Sequence, residues 1–309
     1  MSDDLEHRHW LGLARQQLTR GDVRGAIEIL RRMLGEMPDS ASGHALLAIC
    51  LVQQKRLAAA EHEAREALAL EPESALGRMS LAGVHLARHR ARQAEALYRE
   101  VLAESQEPIA LRGLAQSLEQ QGRKKEARAA LDEALALEPE DVDTLVLRGE
   151  LAWRERRFAD AEADAAEALT LEPEHAEALI LRGHLLLRRG KIEEAREHAL
   201  WALRSDATSR TALVLLAAVK ARQSWWLGLW WRFNTFATGS QARIMTILLG
   251  LWVAARVAEQ IASLLQASGA ATGISTIWLA FCAYTWVAPG MFRRMVEREL
   301  EPVHLSDRD

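Results

Sequence analysis

The chain has 309 residues and a formal net charge of −4, with 49% hydrophobic and 27% charged residues. That apolar share excludes a disordered chain, and two isolated cysteines, Cys50 and Cys282, exclude a disulfide framework or a cysteine-rich metal site. Residues 210–309 hold ten Lys/Arg against six Asp/Glu, so the acidic excess lies wholly before them, which disfavours nucleic acid as a partner of that part.

Taken in chain order, the first twenty residues, MSDDLEHRHWLGLARQQLTR, contain no unbroken apolar stretch of the kind that directs secretion. Good helix formers, Ala, Leu, Glu and Arg, dominate the chain. The excess of 34 Arg over 5 Lys is associated with GC-rich bacterial genomes. A repeat then becomes visible. Alanines open helix-like runs at Ala26, Ala60, Ala94, Ala127, Ala161 and Ala195, spaced 34, 34, 33, 34 and 34 residues apart. A small residue precedes each, at Ala14, Ala48, Ala82, Ala115, Gly149 and Gly183. Between the two marks falls a turn position: Gly21, Gly122 and Gly190, with Lys55, His89 and Arg156 in the other copies. A second small or apolar residue recurs at Met33, Ala67, Val101, Ala134, Ala168 and Ala202, and prolines close copies at Pro38, Pro72, Pro139 and Pro173.

Each copy therefore reads as two helices that cross at small residues, a sharp turn that glycine relieves, and a proline where the second helix stops. One such pair cannot bury a core, so neighbours must stack. The third copy is one residue short and its proline, Pro108, comes late, which predicts an irregularity around Ser105–Pro108. Residues 210–222, RTALVLLAAVKAR, read as one more helix, whose Leu213, Leu216 and Val219 would close the sixth copy.

This pattern resembles the tetratricopeptide repeat (TPR) family over residues 7–209. The resemblance implies an all-α fold: a right-handed superhelical solenoid of about six repeats with a capping helix, over 7–222. It also implies that the first helix of each unit lines a concave face that takes a protein or peptide. Carried onto this sequence, that face offers Arg8, Arg15, Arg112, Gln116, Glu119, Glu150, Trp153, Arg154, His184 and Arg188. The Lys/Asn set with which one family subset grips a carboxyl terminus is missing; Asn234 is the chain's one asparagine. Trp153 beside Arg154 pairs two residue types that dominate interface hot spots, although Trp153 could instead be packed between repeats. His184 has no Cys or second His at ligand spacing, and a groove or core-edge position suits it.

The composition changes after the repeats. Residues 223–240 carry SWWLGLWWRF, with Trp225, Trp226, Trp230 and Trp231 in seven positions. Indole favours the lipid headgroup zone, so this reads as an interfacial segment. Residues 241–295 are expected to form a transmembrane helical hairpin. Within it, 272–292 carry no charge over 21 positions, long enough to span about 30 Å of hydrocarbon as a helix. The preceding run includes Arg256 and Glu259 on one face, and two readings stay open: a span with that pair turned to a polar partner, or a helix along the interface. Arginines flank the hairpin on both sides, at 232, 243, 293, 294 and 298, and its linker has none. That places the repeats, the short tail 296–309 and both termini in the cytoplasm, at a bacterial inner membrane.

No phosphate loop, HExxH, GxSxG or paired-cysteine motif is present. His62–Glu63 and Glu174–His175 read as solvated helix faces. The expectation is a non-enzymatic, cofactor-free and metal-free membrane-anchored scaffold, with the lipid bilayer and a protein or peptide as partners. The competing expectation is a pore-like homo-oligomer assembled through the hairpin.

Overall fold

The structure is a computed structural model and describes residues 2–205, 209–223, 252–253, 256–261, 273, 276 and 279. Over residues 2–223 the described chain forms thirteen helices and no strand. They alternate as first and second members of pairs: α1 Ser2–Thr19 with α2 Val23–Glu36, α3 Ala41–Gln53 with α4 Leu57–Leu70, and α5 Ala75–Ala87 with α6 Ala91–Glu104. The pairs continue as α7 Pro108–Gln120 with α8 Lys124–Leu137, α9 Val142–Arg154 with α10 Phe158–Leu171, and α11 Ala176–Arg188 with α12 Ile192–Ser205. The last helix, α13, is Arg210–Gln223. By its contacts the chain divides into two units, Met1–Asp164 and Ala165–Asp309, and the division falls within α10.

Why these residues pair is visible at the crossings. Ala14, Ala48, Ala82, Ala26, Ala60 and Ala94 are fully buried where first and second helices meet. Gly113 and Gly183 take the same role further. A Cβ on Gly113 would fall inside the ring of Tyr98 on α6, and one on Gly183 would meet Leu215 on α13. The aromatic and aliphatic bulk therefore comes from the facing helix, and glycine makes room for it.

The turn inside each pair takes a left-handed residue in every copy: Gly21, Lys55, His89, Gly122, Arg156 and Gly190, with φ between +58° and +79°. The three non-glycine positions are those read from the repeat register alone, and they carry strain that glycine avoids. Loops between pairs are four residues at 37–40, 71–74, 138–141 and 172–175. The third loop is only 105–107, with Ser105 extended and Pro108 serving as the first residue of α7. The expected irregularity is thus a one-residue deletion. Pro108 is tolerated because a helix's first N–H has no intrahelical partner to lose. Ser40 and Ser74 cap α3 and α5 by accepting from the N–H of Gly43 and Gly77.

In the first unit, α3 packs beside α5 and α5 beside α7, while α2, α4, α6 and α8 each pack on the following first helix. In the second unit, α13 lies on α11 and α12. Its Leu216 and Val219 are fully buried as the register requires, together with Leu215, while Leu213 is only partly buried. Cys50 is an apolar filler of the first core; burial pushes its thiol up to about 11. Cys282, the Trp-rich segment with Trp225, Trp226, Trp230 and Trp231, most of the expected hairpin and the tail 296–309 lie outside the described residues. Among the described residues no helix is long and apolar enough to cross a membrane.

Two expected solvated faces prove to be structural contacts. Glu63 is not solvated: its Oε2 meets His44 Nδ1 at 2.7 Å, and His44 Nε2 lies 2.9 Å from the Pro38 carbonyl, tying α4 to the start of α3. His175 caps α11, its Nδ1 accepting from the Ala178 N–H at 3.4 Å. His62 does face solvent, with only a 3.8 Å approach to Glu66. Sequence spacing alone misses the first two because their partners lie on another helix or on the backbone.

Candidate partner-binding face

The face of a first helix that its own pair and the next do not cover is a stripe at i, i+3 or i+4, i+7 and i+11. In the first unit this stripe changes character along the chain. On α1 it carries Arg8 and Arg15, both exposed. On α3 it carries half-buried Ile49 and Val52, and on α5 half-buried Leu76, Met79 and Gly83, with open space above Gly83. At the start of α7 Ile109 is 56% exposed. No carboxylate interrupts the stripe from α3 to Ile109. The sequence reading, which looked for charged and aromatic anchors, passed over these aliphatic positions. The repeat register links two of them, Leu76 and Ile109, which hold equivalent places in successive copies; the matching place on α3 is Ser42.

Further along, the same stripe becomes an ion-pair network. Arg112 on α7 bonds Asp141 at 3.1 and 2.9 Å and approaches Asp143 at 3.1 Å, so it is spent on the N-cap of α9. Arg154 joins Glu119 on α7 to Glu150 on α9, the latter at 2.9 Å. Burial opposes the Arg154 charge, but bonds to Glu119 and Glu150 outweigh it and hold its pKa above the usual range. Gln116 is exposed between these groups. Trp153 is half-buried and meets the Phe158 ring edge-on, centroids 5.2 Å apart and planes at 69°. The structure therefore brings Glu119, Glu150 and Arg154 together. Arg112 is tied to a neighbouring helix, and Trp153 leans on the helix that follows it.

His184 and Arg188 belong to α11 in the second unit. His184 is half-buried, and that burial lowers its pKa; Arg188 is exposed. Among the described residues no group of three His, Cys, Asp or Glu side chains could hold a metal ion.

Behind the stripe, buried carboxylates lock copy to copy. Glu61 on α4 is nearly buried and takes Arg65 at 2.5 Å, Arg88 and Arg90. One repeat on, Glu95 takes Gln121 and Arg123 at 2.6 Å each, and Arg99. Burial works against the Glu95 charge, but the Gln121 and Arg123 bonds keep its pKa below the normal carboxylate value. The next copy reverses the polarity, with Arg128 on α8 meeting Glu155. These ion pairs tie each copy to the next.

The tetratricopeptide repeat family matches the chain over residues 17–83, and again over 79–142 and 146–223. No curated protein matches. Among solved structures the chain is similar to a tetratricopeptide repeat protein from Parabacteroides merdae, at 17% identity and a TM-score of 0.58, covering 68% of this chain and 83% of that one. It is also similar to PilF of Pseudomonas aeruginosa, at 21% identity and a TM-score of 0.50, covering 70% and 99%. A third likeness is to PilW, a type IV pilus biogenesis factor, at 19% identity and a TM-score of 0.52, covering 68% and 97%. At such identities these likenesses speak for the fold alone. With two-thirds of its length matched and helix pairs in the same register, the chain belongs to the tetratricopeptide repeat family.

Proposed function

We propose that this protein is a membrane-anchored adaptor that holds a protein or peptide partner on the first-helix face of its repeats. Repeats of this family make protein-interaction scaffolds, and the chain shares that general role. The observation that carries the finer reading is the aliphatic stripe of Ile49, Val52, Leu76, Met79 and Ile109 beside the exposed cation Arg15. An exposed isoleucine at the edge of a row of half-buried aliphatics gains free energy when a partner covers it.

Anchoring rests on the tail. Trp252, Val253, Val257 and Ile261 are helical yet each is roughly half exposed, at 45%, 47%, 52% and 52%. Arg256 and Glu259 pair at 2.8 Å, and the Arg256 guanidinium lies 6.0 Å from the Trp252 ring centre. An internal ion pair lowers the cost of carrying two charges among apolar neighbours. With the uncharged run 272–292, this supports a hairpin in lipid, the repeats lying on the cytoplasmic side of a bacterial inner membrane.

Two experiments test the reading. Membranes washed with alkaline carbonate should keep the full chain in the pellet; release into the supernatant refutes the anchor. A photo-crosslinking residue at Ile109 should capture a partner in native membranes, whereas one at exposed Glu133 on α8 should not. Equal capture at both positions refutes the face.

A further inference from the structure

The helix pairs of the first unit have two ends, and those ends carry opposite charge. At 13 or 14 residues each, the helices separate the ends by about 20 Å. The end bearing the loops between pairs presents Asp39, Glu71, Glu138 and Glu140, all exposed and, among the described residues, outside any ion pair. The end bearing the turns within pairs presents Lys55, Arg56, Arg92, Lys124, Lys125 and Arg156, likewise exposed and outside any ion pair among the described residues. Of the acids that share this second end, Glu126, Glu155 and Asp160 are matched by Arg123, Arg128 and Arg157, and Asp22 caps α2 by accepting from the Gly25 N–H.

Folding does not explain these cations. Arg56 is the N-cap of α4 and makes no capping bond, as is true of Arg90 and Arg123 before α6 and α8. Arg92, Lys124 and Lys125 lie in first turns. A helix N-terminus carries partial positive charge, so a cation there is unfavourable and a carboxylate favourable. The sequence keeps Lys and Arg at positions where helix stability asks for Asp or Glu, at the starts of α4, α6 and α8. Neighbouring turns are about 10 Å apart, as side-by-side helix packing sets them. That is close to the screening length of about 8 Å at physiological salt, so their fields overlap in part.

We propose that this turn edge of the first unit is a docking surface for an anionic lipid bilayer, so that the repeats lie edge-on against the membrane. The choice of a bilayer over another polyanion rests on the anchoring reading. It also rests on shape: residues 53–57, 88–92 and 121–125 hold flexible cations and no Trp, Tyr or Phe, and at the fourth turn Trp153 and Phe158 are half-buried against each other, which leaves few platforms for stacking a nucleobase. The acidic opposite edge is then held away from the anionic surface, which fixes which side faces the cytoplasm.

The test uses the full chain in a Cys282→Ala background, Cys50 being buried. A fluorophore on Gln93→Cys reports the basic edge, and one on Gln106→Cys reports the acidic edge. The protein is reconstituted into zwitterionic vesicles, or into vesicles with anionic lipid added, each containing a headgroup-attached quencher. The Gln93 label should be quenched in anionic vesicles, and lose that quenching in zwitterionic vesicles and in about 1 M salt, where screening falls to about 3 Å. The Gln106 label should change in neither. Arg92→Glu/Lys124→Glu/Lys125→Glu should abolish the quenching while keeping its helical circular dichroism, because carboxylates suit those first turns. Equal quenching in both lipids, an unaffected triple variant, or edge-dependent binding to RNA in place of vesicles overturns the proposal. Failure of the chain to float with zwitterionic vesicles refutes the anchor alone; the edge is still read by adding the chain to preformed anionic vesicles.

Discussion

Replacing Gly113 by alanine tests how closely α7 sits on α6. The new Cβ would lie inside the contact envelope of three Tyr98 ring atoms. Tyr98 is 6% exposed, so the ring has no solvent route of escape and the two helices must part. Overpacking of this kind costs about 1–3 kcal/mol. Alanine returns up to about 1 kcal/mol through its better helix propensity. The net expectation is a loss of about 1–2 kcal/mol, read as a lower urea midpoint by far-UV circular dichroism. Tyr98→Leu removes the obstructing ring and should itself cost stability by leaving a cavity. Adding Gly113→Ala to Tyr98→Leu should then cost nothing further, a coupling of about 1–2 kcal/mol between the sites. A neutral or stabilising Gly113→Ala, or two effects that simply add, would show that the glycine is not making room for the ring.

Other expectations follow from the turns, the buried carboxylates and the histidines. Lys55→Gly, His89→Gly or Arg156→Gly should each raise the unfolding midpoint by about 0.5–1 kcal/mol, since relief of left-handed strain exceeds glycine's entropy cost. Gly122→Ala should lower it, and midpoints moving the opposite way would contradict the assigned φ values. Glu95→Ala should lower the midpoint clearly more than Glu126→Ala, because Glu95 is buried among Arg99, Arg123 and Gln121 while Glu126 is exposed; equal effects would mean the buried pair adds nothing. His85, His184 and His198 have pKa values lowered by burial. The unfolded chain therefore takes up protons that the folded chain refuses, and stability should fall as pH drops below the ordinary histidine value of about 6.5. His85→Leu should flatten that slope between pH 7 and 5.5 in a pH series of melts; an unchanged slope would remove His85 as a contributor.

The repeat length, the helix pairs, the six left-handed turn positions and the short third loop were all legible in the sequence. They are local demands: a turn needs one residue with positive φ, a crossing needs a small residue, and a helix must stop at proline. These recur every 34 residues because the same two-helix unit recurs. What the sequence could not rank was which polar residues face solvent. Arg112 and Arg154 read as free groove cations, yet the fold commits the first to Asp141 and the second to Glu119 and Glu150. Glu61 and Glu95, which no sequence motif singles out, are interior anchors. Beyond the same-helix neighbours Arg65, Arg99 and Glu150, their partners lie in the adjacent copy, 26 to 35 residues away, and only stacking decides which charge on one copy meets which on the next. In the first unit the same stacking turned scattered lysines and arginines into one basic edge, because aligning its helix pairs puts their turns at one end and their loops at the other.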